Sequence, residues 1–175
     1  MARSYRCASR APLAHRGGTA QNRAIATQEK TMPSSVTAVS PAASPEALAH
    51  FQSSLRFETD CWDVHDAMTS GKADFVLLDV RNPTLYAQSH VPGAVNLPQG
   101  KIVATKIAEY PEDTTFVVYC AGTHCNGAQK SAIRLAALGR PVKLMVGGLL
   151  GWIDEGFTVD TGAAQPVAEP AMALG

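Results

Sequence analysis

The sequence has no excess of either charge, because its 15 Lys and Arg residues are balanced by 15 Asp and Glu residues. Proteins that bind nucleic acid through its phosphates carry a basic patch, so this balance argues against a nucleic acid partner. Long apolar runs are also missing. The most apolar stretch, residues 144–153, is short and contains three glycines, whereas a membrane-spanning helix needs about 18 apolar residues or more. We therefore expect a soluble, cytoplasmic protein without a membrane partner.

Cysteine is scarce as well. The four cysteines are Cys7, Cys61, Cys120 and Cys125, and their small number and uneven spacing do not match a disulfide framework. This usage is typical of a reducing compartment, in which one or two thiols can be reactive. We therefore expect free thiols.

The composition changes along the chain and suggests three segments. Residues 1–45 contain five arginines, no acidic residue before Glu29 and no apolar periodicity, which predicts a disordered N-terminal extension. Its first part resembles a mitochondrial transit peptide, which would place the protein in the mitochondrial matrix. Alternatively, Met32 is the true start and the earlier residues are not made. Residues 46–160 are predicted to form one domain, and residues 161–175 a flexible tail.

Apolar runs and turn residues alternate in a way that predicts an α/β fold. Strands are expected at residues 75–80, 116–119 and 142–146, with shorter ones at 57–59 and near 95. Helices are expected at residues 44–55, 60–68, 82–86, 101–109, 127–138 and 149–155. Alternation of this kind favours a mostly parallel sheet with helices on both faces.

Two of these helices carry specific packing predictions. In the first, Ser44 is the expected N-cap before Pro45, and a stripe of apolar side chains predicts a helix packed on the core. The stripe consists of Leu48, Phe51 and Leu55. In the helix at residues 101–109, the side chains expected to face inward are Ile102, Ile107 and Val103.

The stretch at residues 116–130 carries the strongest chemical signal. Cys120 follows a buried strand, and a polar loop leads to a helix that begins near Gly127. Asn126 is the expected N-cap, and Gln129 is placed to complete a capping box. Unpaired amides and the dipole of a helix N-terminus favour an anion and lower the pKa of a nearby thiol. Asp79 also ends a predicted strand, so it should face the same crevice at the carboxyl edge of the sheet.

Four motifs occur in a fixed order. They are Asp79-Val80-Arg81 with Pro83 and Tyr86, the segment from His90 to Asn96, Val118-Tyr119-Cys120, and Gly147-Gly148 followed by Gly151-Trp152. Together they resemble the rhodanese homology domain over residues 57–160. The resemblance implies a five-stranded parallel sheet flanked by helices. It also implies sulfurtransferase activity without a cofactor or metal, in which a cysteine carries sulfane sulfur as a persulfide.

The resemblance assigns roles to residues. Cys120 would attack the outer sulfur of a donor such as thiosulfate and pass the sulfur to cyanide, a cellular thiol or an accepting protein. Backbone amides of the following loop would hold the persulfide anion. The loop residues are Ala121, Gly122, Thr123, His124, Cys125, Asn126 and Gly127, and the supporting residues are Asp79, Arg81 and Lys130.

Two departures from the family pattern leave alternatives open. No arginine follows Cys120 until Arg134, and the loop contains a second cysteine, Cys125. Cys125 has three possible roles: resolving a Cys120 persulfide or sulfenate by disulfide formation, relaying sulfur, or none. The chain could therefore be a weakly catalytic binding or redox-sensing domain. A cysteine phosphatase with a C-x5-R loop is disfavoured, because that spacing pairs Cys120 with Asn126 and Cys125 with Ser131.

Overall fold

A computed structural model describes residues 32–163. The chain divides into two units, the second of which begins at Ala42. In the described part of the first unit, the amide of Ala38 donates to the carbonyl of Ser34 over 2.9 Å. The predictions made for residues 1–31 and 164–175 lie outside the described residues. The remaining description concerns the second unit.

The second unit contains one five-stranded sheet in which every neighbouring pair of strands is parallel. The strands are β1 (Glu58–Thr59), β2 (Phe75–Asp79), β3 (Val95–Asn96), β4 (Thr115–Tyr119) and β5 (Val142–Met145). Their order across the sheet is β1-β5-β4-β2-β3, so β4 is central. The predicted α/β fold with a five-stranded parallel sheet is confirmed.

Helices cover both faces of this sheet. They are α1 (Ser44–Phe57), α2 (Cys61–Thr69), α3 (Pro83–Gln88), α4 (Ala104–Ile107), α5 (Gly127–Ala137) and α6 (Gly148–Asp154), with a 3-10 turn at Gln99–Lys101. Successive residues of β4 point to opposite faces. Val117 and Tyr119 pack in a cluster with Trp152 of α6, whereas Val118 packs in a second cluster with Leu135 of α5. Both faces are therefore hydrophobic, as in other parallel sheets.

Several predicted helix ends are confirmed by their hydrogen bonds. The carboxylate of Asp60 caps α2 by accepting from the amide of Asp63 over 2.8 Å. The side-chain oxygen of Asn82 caps α3 by accepting from the amide of Leu85 over 2.9 Å. Gly139, after α5, has a φ of 74°, which is the left-handed conformation expected of a glycine that ends a helix.

The prediction for α1 was wrong in three respects. The N-cap is Ala43, so Ser44 lies inside the helix, and Phe57 ends this helix instead of starting β1. The predicted core stripe faces outward: its members Leu48, Phe51 and Leu55 are 59%, 66% and 70% exposed. Small side chains, among them Ala47 and Ser54, are the partly buried ones. The periodicity correctly predicted a helix, but it could not say which face meets the sheet.

The helix predicted at residues 101–109 is interrupted. The chain forms the 3-10 turn, is extended at Ile102 and Val103, and then forms the single turn of α4. Ile102 and Ile107 are buried as predicted, but Val103 is exposed. The interruption lets both isoleucines reach the same core cluster, which a continuous helix of this length would not require.

A tight turn at Gly147-Gly148 joins β5 to α6 and approaches the end of β4 very closely. Both glycines have positive φ, 89° and 60°. A Cβ placed on Gly148 would stand only 2.5 Å from the carbonyl oxygen of Cys120 and 3.0 Å from the amide nitrogen of Gly122. This position therefore needs glycine both for its conformation and for the space.

We expect Gly148→Ala to lower the free energy of unfolding by about 2–5 kcal/mol, because left-handed strain and overpacking add. Gly71→Ala is the matched control: Gly71 has a similar φ of 69°, but a Cβ added there would meet nothing within 4 Å. It should lose only about 1–2 kcal/mol. Urea unfolding followed by tryptophan fluorescence measures both variants. Equal losses would contradict a close contact at Gly148.

Candidate active site

The candidate site lies at the carboxyl edge of the sheet, where β4 ends at Tyr119 and Cys120 follows. The start of α6 fixes the base of the loop, because the amide of Leu149 donates to the carbonyl of Cys120 over 3.0 Å and that of Leu150 to the carbonyl of Ala121 over 2.9 Å. These two bonds continue the sheet's order into the first two residues of the loop. Cys120 is consequently held at a fixed place.

Cys120 and Cys125 form a disulfide, and their Cα atoms are 6.3 Å apart. This corrects the prediction of free thiols in the loop. The loop folds back on itself because the amide of Cys125 donates to the carbonyl of Gly122 over 3.0 Å, which brings the second cysteine over the first. Composition could not show this pairing, because it depends on the local turn and not on the number of cysteines.

The backbone at Gly127 lies against both sulfurs. A Cβ placed there would stand 3.0 Å from Sγ of Cys120 and 3.3 Å from Sγ of Cys125. The absence of a side chain therefore lets the start of α5 approach the two sulfur atoms. This is the close backbone approach that an anion bound to a helix N-terminus requires.

Most amides of the loop and of the first turn of α5 have no protein partner. Within residues 32–163, the amide of Cys125 is the single one from positions 121–129 that donates to a protein acceptor. The predicted capping box is wrong, because Asn126 occupies the N-cap position without a side-chain hydrogen bond. The first turn of α5 therefore keeps its amides available for a ligand.

Two cavities meet at Cys125. The inner cavity, of about 170 Å³, is lined by both loop cysteines, Gly122, Gly148 and Glu58 among others. The outer one, of about 470 Å³, is lined by Ala121, Thr123, His124, Cys125, Asn126 and Gln129. Cys120 is only 8% exposed and reaches the inner cavity alone, whereas Cys125 lines both. The predicted loop residues are thus brought together around these two spaces.

The predicted supporting residues lie elsewhere. Asp79 and Arg81 form a buried ion pair in which Nε of Arg81 donates to Oδ1 of Asp79 over 2.9 Å. Arg81 also donates to the carbonyl of Ser89, and Asn96 donates to the carbonyls of both residues of the pair. Burial works against the charged guanidinium, but the hydrogen bonds and charge of Asp79 outweigh it and raise the pKa of Arg81. Neither residue, nor Lys130, lines the two cavities.

Some residues at the site were not singled out in the sequence. Glu58 contributes to the inner cavity from the end of α1, and Leu149 and Leu150 bind the base of the loop. Nothing in their local sequence marks these roles, because each depends on which strands become neighbours. The Gly147-Gly148 motif was a usable signal, although the resemblance did not give its contact with Cys120.

The described residues also bear on metal binding and on membrane insertion. In this part of the chain, no three His, Cys, Asp or Glu side chains come together as possible metal ligands. Likewise, none of its helices has both the length and the apolar character that crossing a bilayer requires.

Among known protein families, the rhodanese-like domain matches this chain at residues 62–155. The chain belongs to this family. It is 40% identical over 91 residues to the HTH-type transcriptional regulator Rv0324 of Mycobacterium tuberculosis, a match that covers 51% of this chain and 39% of the regulator. It is 28% identical over 86 residues to a sulfurtransferase of Allochromatium vinosum, covering 49% and 78%.

Solved structures of rhodanese-like domains share the fold. A crystal structure of a Bacillus halodurans protein, 29% identical, superposes with a TM-score of 0.65 and covers 73% of this chain and 94% of its own. This rhodanese-like domain thus has distant relatives named as sulfurtransferases. It spans only about two fifths of the mycobacterial regulator.

Alkylation with iodoacetamide at pH 7.5 should distinguish the cysteines of this domain. Protein purified without reductant should stay unmodified at Cys120 and Cys125, whereas reduced protein should be modified at both. Cys61 is the internal control: burial raises its pKa to about 11, and only the thiolate reacts. Its reaction should therefore appear only as the pH approaches that value.

Peptide mass spectrometry assigns each modification to its cysteine. Rapid alkylation of Cys120 in unreduced protein would contradict the disulfide, and alkylation of Cys61 at pH 7.5 would contradict its burial.

Proposed function

We propose that this rhodanese-like domain is a sulfurtransferase that carries sulfane sulfur as a persulfide on Cys120. The observation that supports this most is the position of the Cys120 sulfur, beside Gly127 and the unpaired amides at the start of α5. The inner cavity gives this sulfur space for one further atom. The sulfurtransferase name of the Allochromatium vinosum relative agrees with the proposal.

The reaction begins from the reduced loop. The thiolate of Cys120 attacks the outer sulfur of a donor such as thiosulfate, and the donor's S–S bond breaks. The electron pair of that bond leaves with sulfite, and Cys120 becomes Cys–S–S⁻. The negative charge moves outward by one sulfur atom but is neither created nor lost.

The main chain stabilises this charge. Amides of the loop and of the first turn of α5 supply hydrogen bonds and the positive end of the helix dipole. Their value is largest where water is excluded, and Cys120 is buried. Gly127 matters here, because a side chain at that position would occupy the space beside both sulfurs.

An acceptor then removes the outer sulfur and restores the thiolate. Cyanide would serve in an assay and form thiocyanate, while a thiol or a sulfur-accepting protein would serve in a cell. The outer sulfur is the one attacked, and Cys120 is the leaving group.

The inner cavity is poorly suited to a doubly charged donor. Of the described residues that line it, Glu58 is the single charged one, and it repels anions. An arginine fork that would bind an oxyanion in two places is missing from the lining of both cavities. Thiosulfate should therefore react less well than a donor with less negative charge.

The disulfide between Cys120 and Cys125 also favours a second candidate, a catalytically weak binding or redox-sensing domain. In that case an oxidant would close the pair and a reductant would open it, without any sulfur being carried. The two candidates differ in whether Cys120 ever gains a sulfur atom.

Mass spectrometry decides between them. Reduced, desalted protein is incubated with thiosulfate and, separately, with mercaptopyruvate, under nitrogen. We expect a gain of about 32 Da on Cys120, seen most clearly in Cys125→Ser. Cys120→Ser should show no gain and should lose thiocyanate formation with cyanide by at least about a thousand-fold, because the nucleophile is gone.

Three results would speak against the assignment. Activity retained in Cys120→Ser, or sulfur mapped only to Cys125, would show that Cys120 is not the carrier. Absence of a mass gain on either cysteine with both donors would favour the redox-sensing or binding candidate.

The charge of Glu58 gives a separate prediction. Glu58→Gln should raise kcat/KM for thiosulfate by about two- to five-fold, because one repulsive charge near the cavity is removed. The gain should shrink as salt is added, because exposed charges are screened. Glu112→Gln, at a different pocket, is the control and should leave the value unchanged. Equal effects of the two variants would mean that Glu58 does not act on the donor.

A further inference from the structure

We propose that Cys125 discharges the Cys120 persulfide by attacking its inner sulfur, so that the sulfane sulfur leaves as sulfide and the observed disulfide forms. This inference rests on the proposed function, because it needs the persulfide as its starting point. It gives the second loop cysteine a catalytic role and gives the disulfide a place in the reaction sequence.

The geometry shows that the attack is within reach. The Cα atoms of the two cysteines are 6.3 Å apart, inside the range of about 4.4–6.8 Å that disulfides span. The amide of Cys125 bonded to the carbonyl of Gly122 holds the loop in the folded-back shape that this needs. The two sulfurs also lie against the same backbone atoms of Gly127. The attacking thiolate therefore needs no rearrangement of the sheet or of α5.

The step is balanced as written. The Cys125 thiolate forms a bond to Sγ of Cys120, the bond between Sγ and the outer sulfur breaks, and its electron pair leaves with the outer sulfur as hydrosulfide. The sulfane sulfur is reduced, and the two cysteine sulfurs are oxidised to the disulfide. From the dithiol, one molecule of thiosulfate gives one disulfide, one sulfite and one sulfide.

The burial of Cys120 favours this internal route over an external acceptor. Cys120 faces only the inner cavity of about 170 Å³, whereas Cys125 lines both cavities. A thiol held five residues away on a folded loop has a far higher effective concentration than one in solution. An external acceptor would first have to pass Cys125.

The cycle closes only when a reductant opens the disulfide. A dithiol does this through a mixed disulfide, for which Cys125 is the accessible sulfur and Cys120 the leaving group. The partner implied is therefore a dithiol compound or a dithiol redox protein, with dithiothreitol as the laboratory probe. Each turnover would consume one donor molecule and one dithiol and release one sulfide.

The test is a single-turnover measurement without added thiol. The full chain is reduced, desalted under nitrogen and given excess thiosulfate or, separately, mercaptopyruvate. We expect wild type to release one sulfide per chain, together with one sulfite or one pyruvate, and to show a peptide linked through Cys120 and Cys125. Cys125→Ser and Cys125→Ala should release sulfite or pyruvate without sulfide and retain the added sulfur on Cys120. Cys7→Ser and Cys61→Ala, which change thiols outside the loop, should behave as wild type does.

The possible results separate this inference from the proposed function. If wild type keeps the added sulfur on Cys120 while Cys125 remains open to alkylation, the discharge step is overturned and the sulfurtransferase stands. Sulfur found on Cys125 would mean relay and would also overturn it. No sulfite, pyruvate or mass gain in wild type and both Cys125 variants would overturn the persulfide, and this inference with it. The wild-type result alone decides, so a variant that fails to fold does not affect it.

Discussion

The site depends on the contact between the Gly147-Gly148 turn and the peptide groups of Cys120 and Ala121. Two hydrogen bonds from the start of α6 and a backbone approach too close for any Cβ hold the end of β4 in place. Because β4 is the central strand, buried on both faces, it cannot move to accommodate the loop. The loop must therefore adapt to a fixed Cys120, and it does so by folding Cys125 back over it.

This fixed anchor explains how the site can do without cationic side chains. A side-chain cation would stabilise an anion from many positions, but amide groups act only over short distances and in fixed directions. Gly127 brings the start of α5 to the sulfurs, and the absence of an Asn126 cap leaves its first amides unoccupied. Asp79 and Arg81, which the motif placed near the site, instead bind each other and brace the ends of β2 and β3. The electrostatics of the site is thus mainly that of the backbone.

The sequence predicted well whatever depends on local patterns. Buried apolar runs located β2, β4 and β5, and the capping residues Asp60 and Asn82 located two helices, because these signals act within a few residues. It failed where tertiary contacts decide. The apolar stripe of α1, with Leu48 and Phe51, faces outward because the helix meets the sheet through small residues instead. The pairing of Cys120 with Cys125 depends on a loop turn that no composition rule detects.

The small size of the inner cavity links the fold to the chemistry proposed for it. Ligand pockets usually enclose about 300–1,000 Å³, whereas this one holds about 170 Å³ and can accommodate little more than a sulfur atom and a small donor. A bulky acceptor cannot approach Cys120 along that path. Sulfur loaded there must leave through a small molecule or through the neighbouring thiol, and Cys125 is the residue that joins the inner cavity to the outer one. The same packing that protects the persulfide from water therefore makes a second loop cysteine useful.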